Sequence, residues 1–194
     1  MNVKFKTNGI IMKRVILLLT FLMVVVCIQA QQTPVAKARV AETRKAYAEA
    51  KKNVEKAEKL FKEGKPANMT VVNSSYTLGN EAGKVTTTYY YVQDEDTLLG
   101  QYTYQPYFIV NHFNTPGNKY YQEFLYDNDM GLIFYYEKNE GNETRFYFGK
   151  EDEVNDEGLV HEINTSHRVM EPPFACRVGG ELMHAFHLLM NREF

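Results

Sequence analysis

Around Thr88 to Phe148 the chain passes through six short segments, TTYYYV, TLLGQYTYQ, PYFIVNHFN, KYYQEFLYD, LIFYYEKN and ETRFYFGK. Tyr, Phe, Val, Ile and Thr dominate them, and such branched or aromatic side chains pack well on a pleated, half-buried surface. Turn residues separate the segments. Asn114-Thr115-Pro116-Gly117-Asn118 is the clearest hairpin loop, because Pro-Gly suits the two central positions of a tight turn. Asp94-Glu95-Asp96, Asp127-Asn128-Asp129-Met130-Gly131 and Glu140-Gly141-Asn142 read as further turns. Strands joined by such short loops must be antiparallel neighbours, so the segments predict a meander. Two strands precede the fourth-to-last of these turns, MTVVNSSYTL and VTTTYYYV, joined at Gly79–Gly83, and Leu159–Val169 reads as the last strand.

Residues 64–194 contain 13 Tyr and 9 Phe and no Trp. Strict alternation puts Tyr120, Phe124 and Tyr126 on one side of their strand and Tyr121 and Leu125 on the other. In the same way Leu132, Phe134 and Tyr136 oppose Ile133 and Tyr135, and Leu159, His161 and Ile163 share a side. Both faces are therefore partly apolar. One helix cannot cover both, which predicts a curved sheet or a tyrosine-lined face left partly open.

Before the sheet, Val40, Tyr47, Val54 and Phe61 recur every seven residues, with Thr43, Ala50 and Ala57 three places on. This is the stripe of an amphipathic helix from Val35 to Glu63, ended by Gly64 and Pro66. Its three-later positions are too small for the knobs of a coiled coil, which favours a support lying on the sheet over a dimerising arm. After the sheet comes an acidic loop, Glu151–Gly158; Pro172-Pro173 then breaks the chain, and Glu181–Asn191 reads as a short helix. The expected class is α+β: a long N-terminal helix packed on an antiparallel meander of about 6–8 strands, with a short C-terminal helix.

At the N-terminus Lys13-Arg14 is followed by VILLLTFLMVVVCI and Gln29-Ala30-Gln31-Gln32, the layout of a secretory signal peptide cleaved after Ala30. Met12, directly before the basic pair, is a candidate start. The apolar run is shorter than the roughly 20 residues a membrane-spanning helix needs. Cys27 could be the acylated cysteine of a lipoprotein, but Val24-Val25-Val26 precede it where small residues are wanted, so lipid anchoring is the lesser reading. The domains expected are thus residues 1–30 as signal, 31–66 as helix and 67–194 as sheet with C-terminal helix. Export predicts a periplasmic or extracellular location and no integral membrane protein.

Without residues 1–30, whose four bases meet no acid, the chain carries 18 bases and 24 acids. Residues 35–63 hold nine bases and five acids; residues 64–194 hold nine bases and nineteen acids. A basic helix and an acidic sheet attract each other, and the absence of an aromatic-rich basic patch argues against nucleic acid.

Catalytic signatures are sparse. His184 and His187 are three residues apart, with His161, His167 and Cys176 as candidates to complete a ligand set, and no HExxH occurs. Phe174-Ala175-Cys176-Arg177-Val178 matches no cysteine-protease pattern, and the acidic loops lack EF-hand spacing. No nucleotide-binding glycine pattern is present, so no cofactor is expected.

Gly131–Phe148, GLIFYYEKNEGNETRFYF, resembles a strand–turn–strand pattern in uncharacterised secreted or periplasmic α+β proteins of Gram-negative envelopes. The resemblance implies a layout and a setting, and no activity. The leading expectation is a non-enzymatic binding protein taking a protein, peptide or glycan of the cell envelope on a tyrosine-rich sheet face. Its candidate contacts are Tyr89, Tyr91, Tyr102, Tyr104, Tyr121 and Tyr135. The alternative is a small hydrolase or metal-dependent enzyme using His161, His167, His184 and His187; a third is a structural subunit assembling through the helix.

Overall fold

The computed structural model describes residues 34–78, 81–96, 101–115, 118–149, 159–164 and 171–190. The expected signal segment 1–30, the acidic stretch 151–158 and His167 lie outside the described residues. The chain divides into two units, Met1–Val35 and Ala36–Phe194, and the architecture below is that of the second.

Helix α1 (Pro34–Lys62) is followed by seven strands: β1 (Met69–Leu78), β2 (Glu81–Asp96), β3 (Gln101–Thr115), β4 (Asn118–Tyr126), β5 (Leu132–Asn139), β6 (Asn142–Phe148) and β7 (Leu159–Asn164). Helix α2 (Pro172–Met190) closes the chain. The strands form one antiparallel sheet in sequence order, the expected meander. Asp94–Asp96, read as a turn, instead continues β2 to Asp96, opposite Gln101.

Local chemistry sets the ends of the elements. Gly64, at a φ of 69°, lets Lys65 N donate to Leu60 O at 2.9 Å and Gly64 N to Phe61 O at 3.0 Å, which caps α1. Glu140 and Gly141 both take positive φ between the paired Asn139 and Asn142, the tight turn whose twist matches a hairpin. In the loop before β5, Asp127 Oδ1 accepts from the amides of Asp129 and Gly131 at 3.0 and 2.8 Å.

The pairing register shifts three times, between Tyr90 and Tyr91, Leu125 and Tyr126, and Tyr147 and Phe148, and each time the partner strand carries one residue more. At these bulges Tyr107, Ile133 and Val160 are the extra residues, and all three pack on the α1 side of the sheet. Pro106, which has no amide hydrogen to give the ladder, sits at the first of them. Two of the groupings expected from strict alternation therefore fail. Leu132 packs on the α2 side while Phe134 and Tyr136 pack on the α1 side; Leu159 likewise parts from His161 and Ile163.

Each face has its own core. On one, Val40, Ala50, Val54 and Ala57 of α1 meet Tyr90, Phe108, Leu125, Phe134 and Tyr147. Phe61, counted in the helical stripe, is 55% exposed and takes no part in this core. On the other face Ala175, Met183 and Phe186 of α2 cover Tyr89, Ile109, Phe124, Tyr126, Tyr135 and Phe146. Pro172-Pro173, read as a break, begins α2: proline is well suited to the first helical turn, whose amides have no partner within the helix. Gly179 brings α2 close to the sheet. A Cβ there would meet the Tyr126 hydroxyl at 3.2 Å, and that hydroxyl donates to the Gly179 carbonyl at 2.9 Å.

Candidate functional site

Helix α1 crosses only one half of its face. Val40 and Arg44 lie toward Tyr147 of β6, Tyr47 lies against Phe108 and Phe134, and Glu58 accepts from Tyr90 of β2 at 2.9 Å. The other half of that face is open, and two rows of side chains cross it in register. Lys84, Asn114 and Lys119 form the outer row; Thr86, His112, Tyr121 and Lys138 form the inner one. Together with Phe113, Tyr120 and Glu140 they line a cleft of about 500 Å³. Lys84, His112, Asn114, Lys119 and Lys138 are exposed, while Thr86 and Tyr121 are half-buried.

The cleft is basic, with three lysines to one acid in its lining. Lys138 lies 3.6 Å from Glu143, itself 2.7 Å from Arg145, so the third lysine is partly committed. The rings of His112 and Tyr121 meet edge-on at 4.8 Å, and Thr86 donates to Asn73 at 2.8 Å. Aromatic surface, hydroxyls and amides beneath free ammonium groups can hold a polar anion by charge and orient it by hydrogen bonds.

Tyr121 joins the cleft to the helix–sheet contact. Its hydroxyl donates to Glu123, a carboxylate 1% exposed that also accepts from the Tyr47 hydroxyl and from Lys51 Nζ at 2.8 Å. Burial first, and then the Glu123 charge, push both phenols well above the usual tyrosine range, so they stay neutral donors.

The same effect recurs across both cores. Burial raises Tyr89, Tyr90, Tyr126 and Tyr135, and lifts Tyr107 and Tyr136 to about 12. The unfolded chain releases these protons near pH 10, so folded pKa values above that make the native state bind more protons in alkali. Their contribution to stability is complete below about pH 10 and is lost as the pH rises toward and past 12. Urea midpoints measured at pH 8, 10 and 11.5 should fall steeply only over the last interval, with tyrosinate absorbance appearing together with unfolding. Tyrosinate forming near pH 10 in a fully folded chain would contradict this.

The six tyrosines singled out by sequence do not share a surface. Tyr89 and Tyr135 are buried in the α2-side core at 4% and 0% exposure, with Tyr91 and Tyr104 packed against it. Tyr91 and Tyr104 meet edge-on at 5.7 Å, and Tyr91 also meets Phe186. Tyr102 is 52% exposed, and Tyr121 lies on the opposite side, in the cleft. Of the six, only Tyr121 is brought to the candidate site. The cleft lysines were missed because each stands alone in the sequence; their shared side shows only once β2, β3, β4 and β5 are in register.

The histidines do not converge. His161 packs on Tyr147 at 5.7 Å on the α1 side, whereas His184 and His187 belong to α2 on the other. Among the described residues no three His, Cys, Asp or Glu side chains come together as a metal site. Cys176 of α2 lines a shallow pocket with Tyr126 and Leu132, and burial pushes its thiol up, the reverse of an activated nucleophile. Among the described residues no helix is long and apolar enough to cross a membrane.

No protein-family model, curated protein or solved structure matches the chain.

Proposed function

We propose that this is an exported, non-catalytic binding protein of the cell envelope, and that it takes an acidic glycan in the basic cleft. The observation that carries this reading is the convergence of Lys84, Lys119 and Lys138 from three strands on one open half of the sheet. The rest of residues 64–194 is rich in acid, so a local excess of positive charge there is a concentrated exception. Lysines on the rim attract carboxylate or sulfate groups, while the Tyr121 and His112 rings offer amphipathic surface to the sugar between them. The apolar leader that ends in Ala30 supports export, and the short aromatic strand–turn–strand at Gly131–Phe148 fits an envelope setting.

Calorimetric titration of the full chain with a sulfated oligosaccharide tests the reading. Binding should weaken steeply as salt is raised, and a neutral oligosaccharide of equal length should not bind. Lys84→Glu with Lys119→Glu should lower affinity on the order of tenfold or more while the circular dichroism stays unchanged. Equal affinity in that double variant would remove the cleft from consideration.

A further inference from the structure

The two buried carboxylates of neighbouring strands are treated differently. Glu123 on β4 faces α1 and has Lys51 at 2.8 Å. Glu137 on β5 faces the other way, is 2% exposed, and accepts at Oε2 from the Tyr135 hydroxyl and from Gln122 Nε2 at 3.1 Å. Among the described residues no ion pair involves it, and its Oε1 has no hydrogen-bond partner. A charge buried this deeply is costly unless something positive balances it.

Glu137 stands in a row of polar side chains on the α2-side face, next to the apolar half that α2 covers. Thr87, Asn111, Gln122, Glu137 and Thr144 follow one another from β2 to β6 in register, and all are more than nine-tenths buried. Asn139 is two residues beyond Glu137 on the same side. Asn111 Oδ1, Gln122 Oε1, Glu137 Oε1 and Asn139 Oδ1 are all buried without a hydrogen-bond donor. Turning the Gln122 amide over would not relieve this, since its carbonyl would then face the Glu137 carboxylate and the Tyr135 bond would change partner. One proton on Glu137 could join two of these oxygens and would leave the others unmatched.

We propose that this strip holds a hard metal cation, with Glu137 supplying the negative charge and the carbonyl oxygens of Gln122 and Asn139 completing the protein side. Glu137 has both beside it: Gln122 opposes it across the ladder, and Asn139 is on the adjacent same-side position of β5. Carboxylate and amide oxygens without nitrogen or sulfur select calcium, magnesium or an alkali ion over zinc or copper. The site is on the opposite face from the basic cleft and does not depend on it.

The test is made on the full chain stripped with chelator, using calcium as the first probe and magnesium, sodium and potassium at matched ionic strength. One of these ions should raise the thermal midpoint in proportion to the logarithm of its concentration, and calorimetry should find one ion per chain. Glu137→Gln should abolish the shift. Asn139→Ala, a change at a half-buried position that spares the core, should weaken ion binding about tenfold with the fold retained. The second variant keeps the test decisive if the first fails to fold. No stoichiometric binding of any of the four ions overturns the proposal, as does binding that Asn139→Ala leaves unchanged, which would mark an adventitious surface ion.

Discussion

Tyr135→Ala is expected to destabilise the protein by about 3–5 kcal/mol, the range for truncating a large buried aromatic side chain. Tyr135 has no exposed surface and lies between Phe124 at 5.1 Å and Phe146 at 5.5 Å, ring centre to ring centre. Removing it opens a cavity beneath α2 on β5, two residues from the buried polar row, and it takes away a donor from Glu137. Tyr135→Phe separates the two losses. Its ring stays, so it should cost about 1–3 kcal/mol, the penalty for a buried acceptor deprived of a partner. Urea unfolding of both variants at pH 7 measures the difference. Equal losses would mean that the hydroxyl, rather than the ring, dominates at this position.

Glu123→Leu is the second large effect, about 3–5 kcal/mol, because it breaks a buried charge pair from its more deeply buried side. Three donors then lose their acceptor: the hydroxyls of Tyr47 and Tyr121, and Lys51 Nζ. Two of them belong to α1, so the helix loses its polar anchor to the sheet as well as the charge. Lys51 is 34% exposed against 2% for the Glu123 side chain, so the lysine can turn to water while the carboxylate cannot. Lys51→Met should therefore cost as much or more, because it strands the buried Glu123 charge with only the two tyrosine hydroxyls as partners. The double variant should recover part of the Lys51→Met loss, because no stranded carboxylate remains. A double-mutant cycle with no coupling would show that the contact is held by the tyrosines alone. Loss of Glu123 should also loosen Tyr121 and thereby weaken ligand capture in the neighbouring cleft.

The elements were largely legible in the chain. The seven-residue recurrence of Val40, Tyr47 and Val54 placed α1 within a residue at each end, and turn residues at 127–131 and 140–142 separated the strands where the structure does. Both depend on contacts a few residues apart, which propensity and periodicity report directly. Pro172-Pro173 was misread because a proline pair stops a helix that precedes it and starts one that follows; only the packing of Ala175 and Gly179 on the sheet shows which applies. The site was less legible. Tyr89 and Tyr135 looked available for a partner because one helix was set against two apolar faces, whereas α2 extends far enough to bury the second.

What the sequence determined by itself is the class and the order: an amphipathic helix, an antiparallel meander and a closing helix, because strand composition and short loops leave little freedom in pairing. What only the tertiary structure decided is which side chains meet. Bulges at Tyr107, Ile133 and Val160 shift the two-residue alternation, sending Leu132 and Leu159 to the α2 side. The placement of α1 over half of one face leaves Lys84, Lys119, Lys138 and Tyr121 together in the open half. A slip of one residue in the ladder would have put Glu123 and Glu137 on the faces they now avoid, since neighbouring side chains in a strand point to opposite sides. Register over seven strands is a property of the whole sheet, and no local stretch of the chain contains it.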